Sequence, residues 1–256
     1  MKIKLLKVIL LVVISVFAVN ASSFAVNKAQ LDEFYQKAND QYKEGDYKAA
    51  AAKYERILEE GYSSGSLYFN MANAYFKDGQ LGMAILNYKR ALRLLPRDAD
   101  LRANYRFAKA NIKGKIYPEK GIWAWTPLKA YSQSATINEI TLISSALYLL
   151  TLVCVLLIAF RAQLRGYLIS VGCLFLVLAV VNSAILVHQI NVYQKEAVVV
   201  TPDLEARFGP FESETKFFTL QEGMPVVVLR TKDQWKKVRR SDGKTGWVPY
   251  EDVKML

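Results

Sequence analysis

Residues that could carry covalent or metal chemistry are scarce in this sequence of 256 residues. The single histidine, His188, and the two cysteines, Cys154 and Cys173, lie in or beside long apolar segments. A metal site needs several converging ligands, and a catalytic nucleophile needs a base beside it. No phosphate-binding glycine loop or serine-histidine-aspartate set occurs. A glycosidase-like carboxylate pair stays open, although nothing singles one out. We therefore predict no enzyme, no cofactor and no metal site.

Polar groups that could bind a ligand recur at a fixed spacing. Asn39 and Asn73 are 34 residues apart, and seven positions between 31 and 96 repeat with the same period. Small residues in such a pattern let antiparallel helices approach closely, and aromatic residues fill the space between repeats. The pattern resembles the tetratricopeptide repeat. Its repeated residues are Phe34, Ala38, Gly45, Tyr47, Ala50, Tyr54 and Leu58, which recur as Tyr68, Ala72, Gly79, Leu81, Ala84, Tyr88 and Leu92 before Pro96.

The period predicts an all-α repeat domain over residues 26–115. We place two repeats at 31–64 and 65–98, followed by a capping helix at 98–113. Two repeats and a cap bury little core, because about three repeats are normally needed for stability. We therefore expect a partner chain or a second copy to complete the groove.

The resemblance also implies that the first helix of each repeat lines a concave, peptide-binding face. An asparagine amide both donates and accepts hydrogen bonds, which suits an extended peptide backbone. In the alternative interpretation, these asparagines are ordinary surface residues and the aromatic residues Phe69, Phe76 and Phe107 pack between repeats. The predicted protein-binding residues of the groove are Tyr35, Asn39, Tyr42, Asn70, Asn73 and Asn104.

Three apolar segments indicate export and membrane insertion. Residues 1–25 combine early lysines, an apolar run and small residues, as a signal peptide does; the alternative is an uncleaved anchor. Segments 141–160 and 167–187 contain no charge and have about the 20 residues that a bilayer core requires. They predict two transmembrane helices, with a linker at 116–140 before them and a turn at 161–166 between them.

The orientation of this hairpin follows from its charges. Arg161 and Arg165 in the short turn favour a cytoplasmic turn. Both long flanks would then face the exported side, in agreement with the signal peptide, although the basic flank before the first span alone argues the reverse. We predict a bacterial inner-membrane protein with two periplasmic domains. Cys154 and Cys173 are expected to be apolar packing residues, with a contact between them as the alternative.

The formal net charge of +11 is unevenly distributed. Residues 61–139 contain twelve basic and five acidic residues, whereas residues 196–256 contain ten of each. The basic stretch at 89–129 is either a solvated helix face or a surface that attracts acidic headgroups or an acidic partner. Nucleic acid is not expected as a partner, because exported segments do not meet it.

The last 61 residues, 196–256, have an all-β pattern. Five short apolar runs, with a long polar loop after the first, predict a small closed barrel. The turn at Asp242-Gly243 predicts a hairpin in which both residues adopt positive φ. The run from Asp242 to Trp247, the pair Glu222-Gly223 and Trp235 are similar to those of bacterial SH3 domains. Trp247 is expected in the core, and the tentative ligand-binding residues are Trp235 and Tyr250.

The order of these parts resembles that of the E-type proteins of the bacterial aerotolerance-operon (Bat) family. The resemblance implies an inner-membrane scaffold that works with Bat components carrying von Willebrand-type domains, in aerotolerance or envelope stress. The alternative is a sensor whose SH3-like domain binds peptidoglycan peptides. A transporter is weakly supported, because both spans lack the charges that mark a transport pathway.

Overall fold

The computed structural model describes residues 28–114 and 126–256. The predicted signal peptide and the start of the predicted linker lie outside these residues. The described chain contains a helical repeat region, a hairpin of two long apolar helices, and a C-terminal antiparallel sheet of seven strands. This confirms the predicted fold class of a multidomain protein with an all-α repeat domain and an all-β SH3-like barrel.

Five helices form the repeat region. The chain reverses after the first and third helices at Gly45 and Gly79, whose φ angles of +86° and +83° suit glycine. Asp46, Ser64 and Asp98 cap three of the helices, because each side chain accepts a hydrogen bond from the backbone N–H three residues later. The helices are α1 (Lys28–Glu44), α2 (Tyr47–Glu59), α3 (Gly65–Lys77), α4 (Leu81–Leu94) and α5 (Ala99–Ala110).

Small residues at repeated positions make the helix pairs close. Ala50 and Ala84 are completely buried in equivalent places, and Tyr54 and Tyr88 fill equivalent spaces with at most 2% of their surface exposed. These four side chains belong to one continuous apolar core. The 34-residue period therefore reflects the residues that are buried between the paired helices.

The two apolar helices form a close hairpin. Helix α7 (Ile137–Phe160) and helix α8 (Arg165–Tyr193) are joined by a single 3₁₀ turn, Ala162–Leu164. Their most apolar windows have mean hydropathies of 2.6 and 2.5, and only 11% and 22% of those windows is buried within the protein. Apolar surface this long and this exposed suits membrane anchoring.

Polar side chains hold a short helix, α6 (Thr126–Ser134), against this hairpin. The buried amide of Asn182 donates to the Ile140 carbonyl at 2.9 Å and to the Ser144 hydroxyl at 2.8 Å, and its Oδ1 accepts from the Tyr131 hydroxyl at 2.9 Å. Between apolar helices, such bonds fix the relative position of the segments. Part of the region predicted as a linker is therefore a docked helix.

The two cysteines differ in exposure. Cys154 is buried and Cys173 is exposed, and both are free. Cys154 packs against Gly172, where an added Cβ would lie 3.3 Å from the Cβ of Cys154. Cys154 is therefore a packing residue of the hairpin, whereas Cys173 is exposed on its surface.

The C-terminal barrel contains two strands that the sequence interpretation missed. The expected long polar loop includes β2 and β3, in which Leu204, Ala206, Phe218 and Leu220 alternate into the core. Short strands with interrupting charges hide this alternation. The strand order is β3-β2-β6-β5-β4-β1-β7, and the strands are β1 (Glu196–Val199), β2 (Leu204–Arg207), β3 (Lys216–Leu220), β4 (Pro225–Lys232), β5 (Trp235–Arg239), β6 (Thr245–Pro249) and β7 (Val253–Met255).

The hairpin between β5 and β6 differs from the predicted two-residue turn. Only Gly243 adopts a positive φ there, at +93°. The Asp242 carboxylate accepts from the Lys244 backbone at 3.2 Å and from the Arg240 guanidinium at 2.7 Å. These bonds hold the Asp242 pKa below its usual range, with the Arg240 bond as the main cause. The loop is therefore longer, with a single glycine in the left-handed region.

The outer helix of the second repeat, α4, packs against the barrel. Gly82 approaches β1 so closely that an added Cβ would lie 2.7 Å from the Val199 carbonyl oxygen and 2.7 Å from the Cα of Val200. Its backbone N–H donates to the Glu222 carboxylate at 2.7 Å. The protein's own barrel covers α4 and leaves the concave face open, so the completion of the groove by a partner chain or a second copy stays a prediction.

Ion pairs surround this junction. Glu196, at the start of β1, pairs with both Lys89 and Arg93 of α4, and all three side chains are at least three-quarters buried. Arg97, just after α4, pairs with Glu139 in the first turn of α7. Part of the basic stretch at 89–129 is therefore paired within the chain, which differs from both a solvated face and a surface for an external acidic partner.

Candidate functional site

Repeated asparagine–tyrosine pairs line the open face of the repeats. In the first repeat, Asn39 Oδ1 accepts a hydrogen bond from the Tyr54 hydroxyl at 2.6 Å. It also lies 3.4 Å from the amide nitrogen of Asn70, which donates to the Tyr35 hydroxyl at 2.7 Å. The Asn39 side chain is thereby held in one orientation by a neighbouring helix and by the next repeat.

The second repeat reproduces this arrangement. Asn73 Oδ1 accepts from the Tyr88 hydroxyl at 2.6 Å and from the amide nitrogen of Asn104 at 3.1 Å. Asn73, Tyr88 and Asn104 each stand 34 residues after their counterparts in the first repeat. The same hydrogen-bonded arrangement of two asparagines and one tyrosine, which we call the asparagine ladder, therefore occurs once in each repeat.

In both networks the central asparagine, Asn39 or Asn73, accepts hydrogen bonds through Oδ1, and its Nδ2 group donates none to a described residue. Within the described part of the chain, the Nδ2 groups of Asn39 and Asn73 have no hydrogen-bond partner. Burial raises the pKa of Tyr54 and Tyr88 well above its ordinary value, so both hydroxyls stay protonated donors at neutral pH. The Nδ2 donors of Asn39 and Asn73 are thus left available for an acceptor from outside the described residues.

An open cleft of about 170 Å³ adjoins these amides. Four of the six predicted groove residues line it, while Tyr35 borders it through Asn70 and Asn104 through Asn73. Sequence reasoning missed the contributions of Lys43 and Tyr54, although the 34-residue spacing of Tyr54 and Tyr88 was a signal that the pairs form. The lining residues are Asn39, Tyr42, Lys43, Tyr54, Asn70 and Asn73.

The aromatic residues assigned to packing behave differently from the asparagines. Phe76 meets Phe107 edge-on, with 5.6 Å between their ring centroids, and Phe69 lies 6.2 Å from Tyr88. Phe69 and Phe76 pack against the apolar core, which supports the packing interpretation for them, whereas Phe107 is 65% exposed and contacts Phe76 from α5.

The barrel presents the other two candidate residues at one end. The backbone N–H of Tyr250 donates to the Gln234 carbonyl at 2.8 Å, and Trp235 pairs with Pro249 across the ladder. The Tyr250 ring is 47% exposed, whereas Trp235 is half-buried. Trp235 and Tyr250 therefore lie together at this end of the domain, and further exposed rings, Phe208 and Phe217, contact each other elsewhere on it.

A buried lysine supports the Tyr250 loop. The Lys236 ammonium donates to the carbonyls of Tyr250 and Val253 at 2.9 and 2.6 Å and lies 3.7 Å from the centre of the Tyr250 ring. Burial lowers its pKa from the ordinary value, and nearby Lys254 adds to the effect. This lysine fixes the position of an exposed aromatic ring. Trp247, by contrast, is only 9% exposed, as expected for a core residue.

Comparison with known proteins identifies two modules. Residues 65–98 match the family model of the tetratricopeptide repeat, and residues 204–254 match that of the bacterial SH3 domain. No curated protein matches the chain. Both modules are typically non-catalytic and mediate protein–protein interaction, and the second is also compatible with peptidoglycan binding. The described residues contain no group of three or more histidine, cysteine or acidic residues that could hold a metal ion.

Proposed function

We propose that this protein is a membrane-anchored scaffold that binds an extended segment of another protein in the groove of its repeats. The observation that supports this most directly is the pair of oriented amides at Asn39 and Asn73, whose donors face an open cleft. A bound segment would supply backbone carbonyls to these donors. The Lys43 ammonium lines the same cleft, where it is already paired with the Asp40 carboxylate at 3.2 Å.

The wider setting of this scaffold is also part of the proposal. The N-terminus of α7 and the C-terminus of α8 lie at the same end of the hairpin, and both meet the repeat region there. This arrangement supports two domains on one side of the membrane, which we assign to the periplasmic side of a bacterial inner membrane. The resemblance to the Bat family makes its components with von Willebrand-type domains the first partners to test, in aerotolerance or envelope stress.

Isosteric substitution of the two amides tests the groove. Asn39→Asp and Asn73→Asp keep the oxygen that accepts from tyrosine and replace the free donor with a second oxygen. A photo-crosslinking residue at Tyr42 of the full chain in its membrane would report the bound partner. We expect each substitution to reduce the crosslinked partner about fivefold, the effect of losing roughly one hydrogen bond.

The matched control is Gln36→Glu, which changes the charge equally at an exposed position of α1 outside the cleft. Its crosslinking should equal that of the unmodified chain. Equal crosslinking in all three variants would contradict the groove proposal.

A second candidate function is binding of peptidoglycan peptides by the barrel. The observation that favours it is the exposed Tyr250 ring above the Lys236 ammonium in a domain that matches bacterial SH3 domains. Tyr250→Ala should weaken cosedimentation of the detergent-solubilised full chain with purified murein. Phe211→Ala removes another exposed ring of the same barrel, outside this loop, and should leave sedimentation unchanged. Sedimentation that is absent, or equal in both variants, would remove this candidate.

A further inference from the structure

A second cavity lies where the repeat region, the hairpin and the barrel meet. It is open to solvent and has a volume of about 600 Å³, within the range of about 300–1,000 Å³ that is usual for small-molecule sites. The last turn of α4 contributes Arg93, the start of α7 contributes Ile137 and Asn138, and the end of α8 contributes Ile190 and Gln194. The cavity therefore lies at the end of the hairpin that contains the N-terminus of α7 and the C-terminus of α8.

The polar wall of this cavity contains an incompletely paired cation. Arg93 Nη2 donates to the Tyr193 carbonyl at 3.0 Å and to Glu196 at 3.3 Å, and the guanidinium carbon lies 4.0 Å from the centre of the Tyr193 ring. Its Nε is buried and has no hydrogen-bond partner among the described residues. A buried guanidinium N–H without a partner favours an acceptor from a ligand.

The charge around the cavity is positive. Arg90 and Lys89 precede Arg93 on α4, and Arg97 follows it, whereas two carboxylates oppose them. Burial lowers the Arg90 pKa, and its guanidinium donates to the Met255 carbonyl at 2.9 Å, which is a neutral acceptor. With Glu55, which also interacts with Arg90, the four cations exceed the three anions by one charge, which favours an anionic ligand. Of the cations, Arg93 lines the cavity. These groups are Lys89, Arg90, Arg93 and Arg97 against Glu55, Glu139 and Glu196.

The opposite wall of the cavity is apolar. Ile137 and Ile190 belong to the two apolar helices, whose outward faces continue from the cavity along the hairpin. A phospholipid combines an anionic phosphodiester with acyl chains that would follow those faces. A soluble anion would use only the polar wall.

We propose that this cavity binds the phosphodiester headgroup of an anionic phospholipid. The Arg93 guanidinium and the Asn138 amide are its polar contacts, and its acyl chains lie along α7 and α8. The inference rests on the membrane anchoring that is part of the proposed function. By holding α4 against the hairpin, the lipid would fix the groove and the barrel relative to the membrane surface.

The test uses the full chain, delipidated in detergent and reconstituted in phosphatidylcholine nanodiscs with or without phosphatidylglycerol. We expect native mass spectrometry to show retained phosphatidylglycerol in preference to phosphatidylcholine. Asn138→Asp should reduce that retention about tenfold by placing a carboxylate in the cavity. Ile190→Trp should abolish it by filling the apolar wall. Arg93 is not varied, because it also pairs with Glu196.

Matched controls separate the cavity from general effects. Gln133→Glu makes the same charge change on exposed α6 outside the cavity, and Ile169→Trp makes the same size change on a lipid-facing turn of α8. Both should retain phosphatidylglycerol as the unmodified chain does. No preference for phosphatidylglycerol, equal losses in the controls, or full displacement by inorganic phosphate would overturn the inference. Release of the full chain from membranes by alkaline carbonate would instead overturn the anchoring itself.

Discussion

The two copies of the helical repeat, of which the second matches the tetratricopeptide model, share an interior and differ on one outer face. Ala50 and Ala84 are completely buried in equivalent places, and the hydroxyls of Tyr54 and Tyr88 donate to equivalent asparagines at the same distance of 2.6 Å. These positions make both copies fold into the same helix pair. They also place the same tyrosine–asparagine hydrogen bond at the open face of both copies.

The outer face of the second helix is where the copies diverge. Lys48 of the first copy is exposed, and its counterpart 34 residues later is Gly82, which is buried against β1. Glu59 is likewise exposed, and its counterpart Arg93 is part of the Glu196 ion-pair cluster. One copy therefore has a solvated outer face, and the other has a face adapted to the barrel.

This difference shows how a repeat acquires a fixed neighbour without losing its fold. The shared positions face inward and are constrained by the partner helix, whereas the divergent ones face outward. The second copy is thereby joined to the barrel and the hairpin, and the first extends the groove away from them. Substitutions at the divergent positions should therefore have larger effects than substitutions at the shared ones.

Exchanging the residues at the most divergent position should have the largest effect. Gly82→Lys places a side chain where even a Cβ would lie 2.7 Å from backbone atoms of β1. We expect the free energy of unfolding to fall by about 3 kcal/mol, the range for overpacking combined with an unpaired charge at a buried site. Urea titration of the full chain in detergent, with protease cleavage between the domains, measures the loss.

The reverse exchange provides the control. Lys48→Gly acts on an exposed position and should cost only about 1 kcal/mol, through the lower helix propensity of glycine. Equal losses for the two exchanges would show that α4 does not depend on its contact with the barrel.

Removing the shared carboxylate should have the next largest effect. Glu196→Gln leaves Lys89 and Arg93 facing a neutral amide at a mostly buried junction. We expect a loss of about 2 kcal/mol, because charge-assisted bonds at buried sites are lost together. The same change at Glu205, which pairs on the surface with Lys216, should cost less than about 1 kcal/mol. A larger loss at Glu205 than at Glu196 would contradict this ordering.

The shared interior predicts a smaller effect that is equal in both copies. Tyr54→Phe and Tyr88→Phe each remove one hydroxyl donor to an asparagine and leave the ring in place. Each should lower the free energy of unfolding by about 1 kcal/mol, the usual contribution of such a bond. Chemical denaturation of the two variants side by side measures the difference. A loss confined to one copy would show that the two asparagine ladders are not equivalent.

Local patterns in the sequence were sufficient for much of this architecture. The 34-residue period, the two charge-free segments and the strand runs each reflect the burial of neighbouring residues, so they are readable without the fold. Four groove residues at one cleft followed from the same period. The strands β2 and β3 were missed because they are only 4 and 5 residues long, too short for their alternation to stand out from the surrounding polar segment.

The contact between repeat and barrel was not readable in this way. Gly82 and Glu222 are 140 residues apart, and Arg93 and Glu196 are 103 apart. A charged outer helix face looks solvated when its countercharge lies in another domain. The available signal was the change from Lys48 to Gly82 at one repeat position, since glycine inside a helix is unfavourable unless something approaches closely.

Alkaline pH should affect the repeats and the barrel in opposite directions. Burial raises the pKa of Tyr54 and Tyr88, so above pH about 10 the unfolded chain loses protons that the folded repeats retain. The folded state then binds more protons, and its free energy of unfolding falls as pH rises. Burial lowers the Lys236 pKa, so between that pKa and about 10.4 the unfolded chain binds more protons and barrel stability rises with pH.

Urea unfolding at pH 9 and pH 11 measures these slopes, with helical circular dichroism reporting the repeats. The double variant with Tyr54→Phe and Tyr88→Phe should show a weaker fall in stability between the two pH values, because phenylalanine has no proton to lose. Lys236→Met should leave that fall unchanged and flatten only the barrel response, seen in the fluorescence of Trp235 and Trp247 in a chain that carries Trp123→Phe and Trp125→Phe. If the double variant loses as much stability between pH 9 and pH 11 as the unmodified chain, groups other than Tyr54 and Tyr88 control the pH dependence of the repeats. The predicted difference in pH dependence between the repeats and the barrel would then not arise from these two tyrosines.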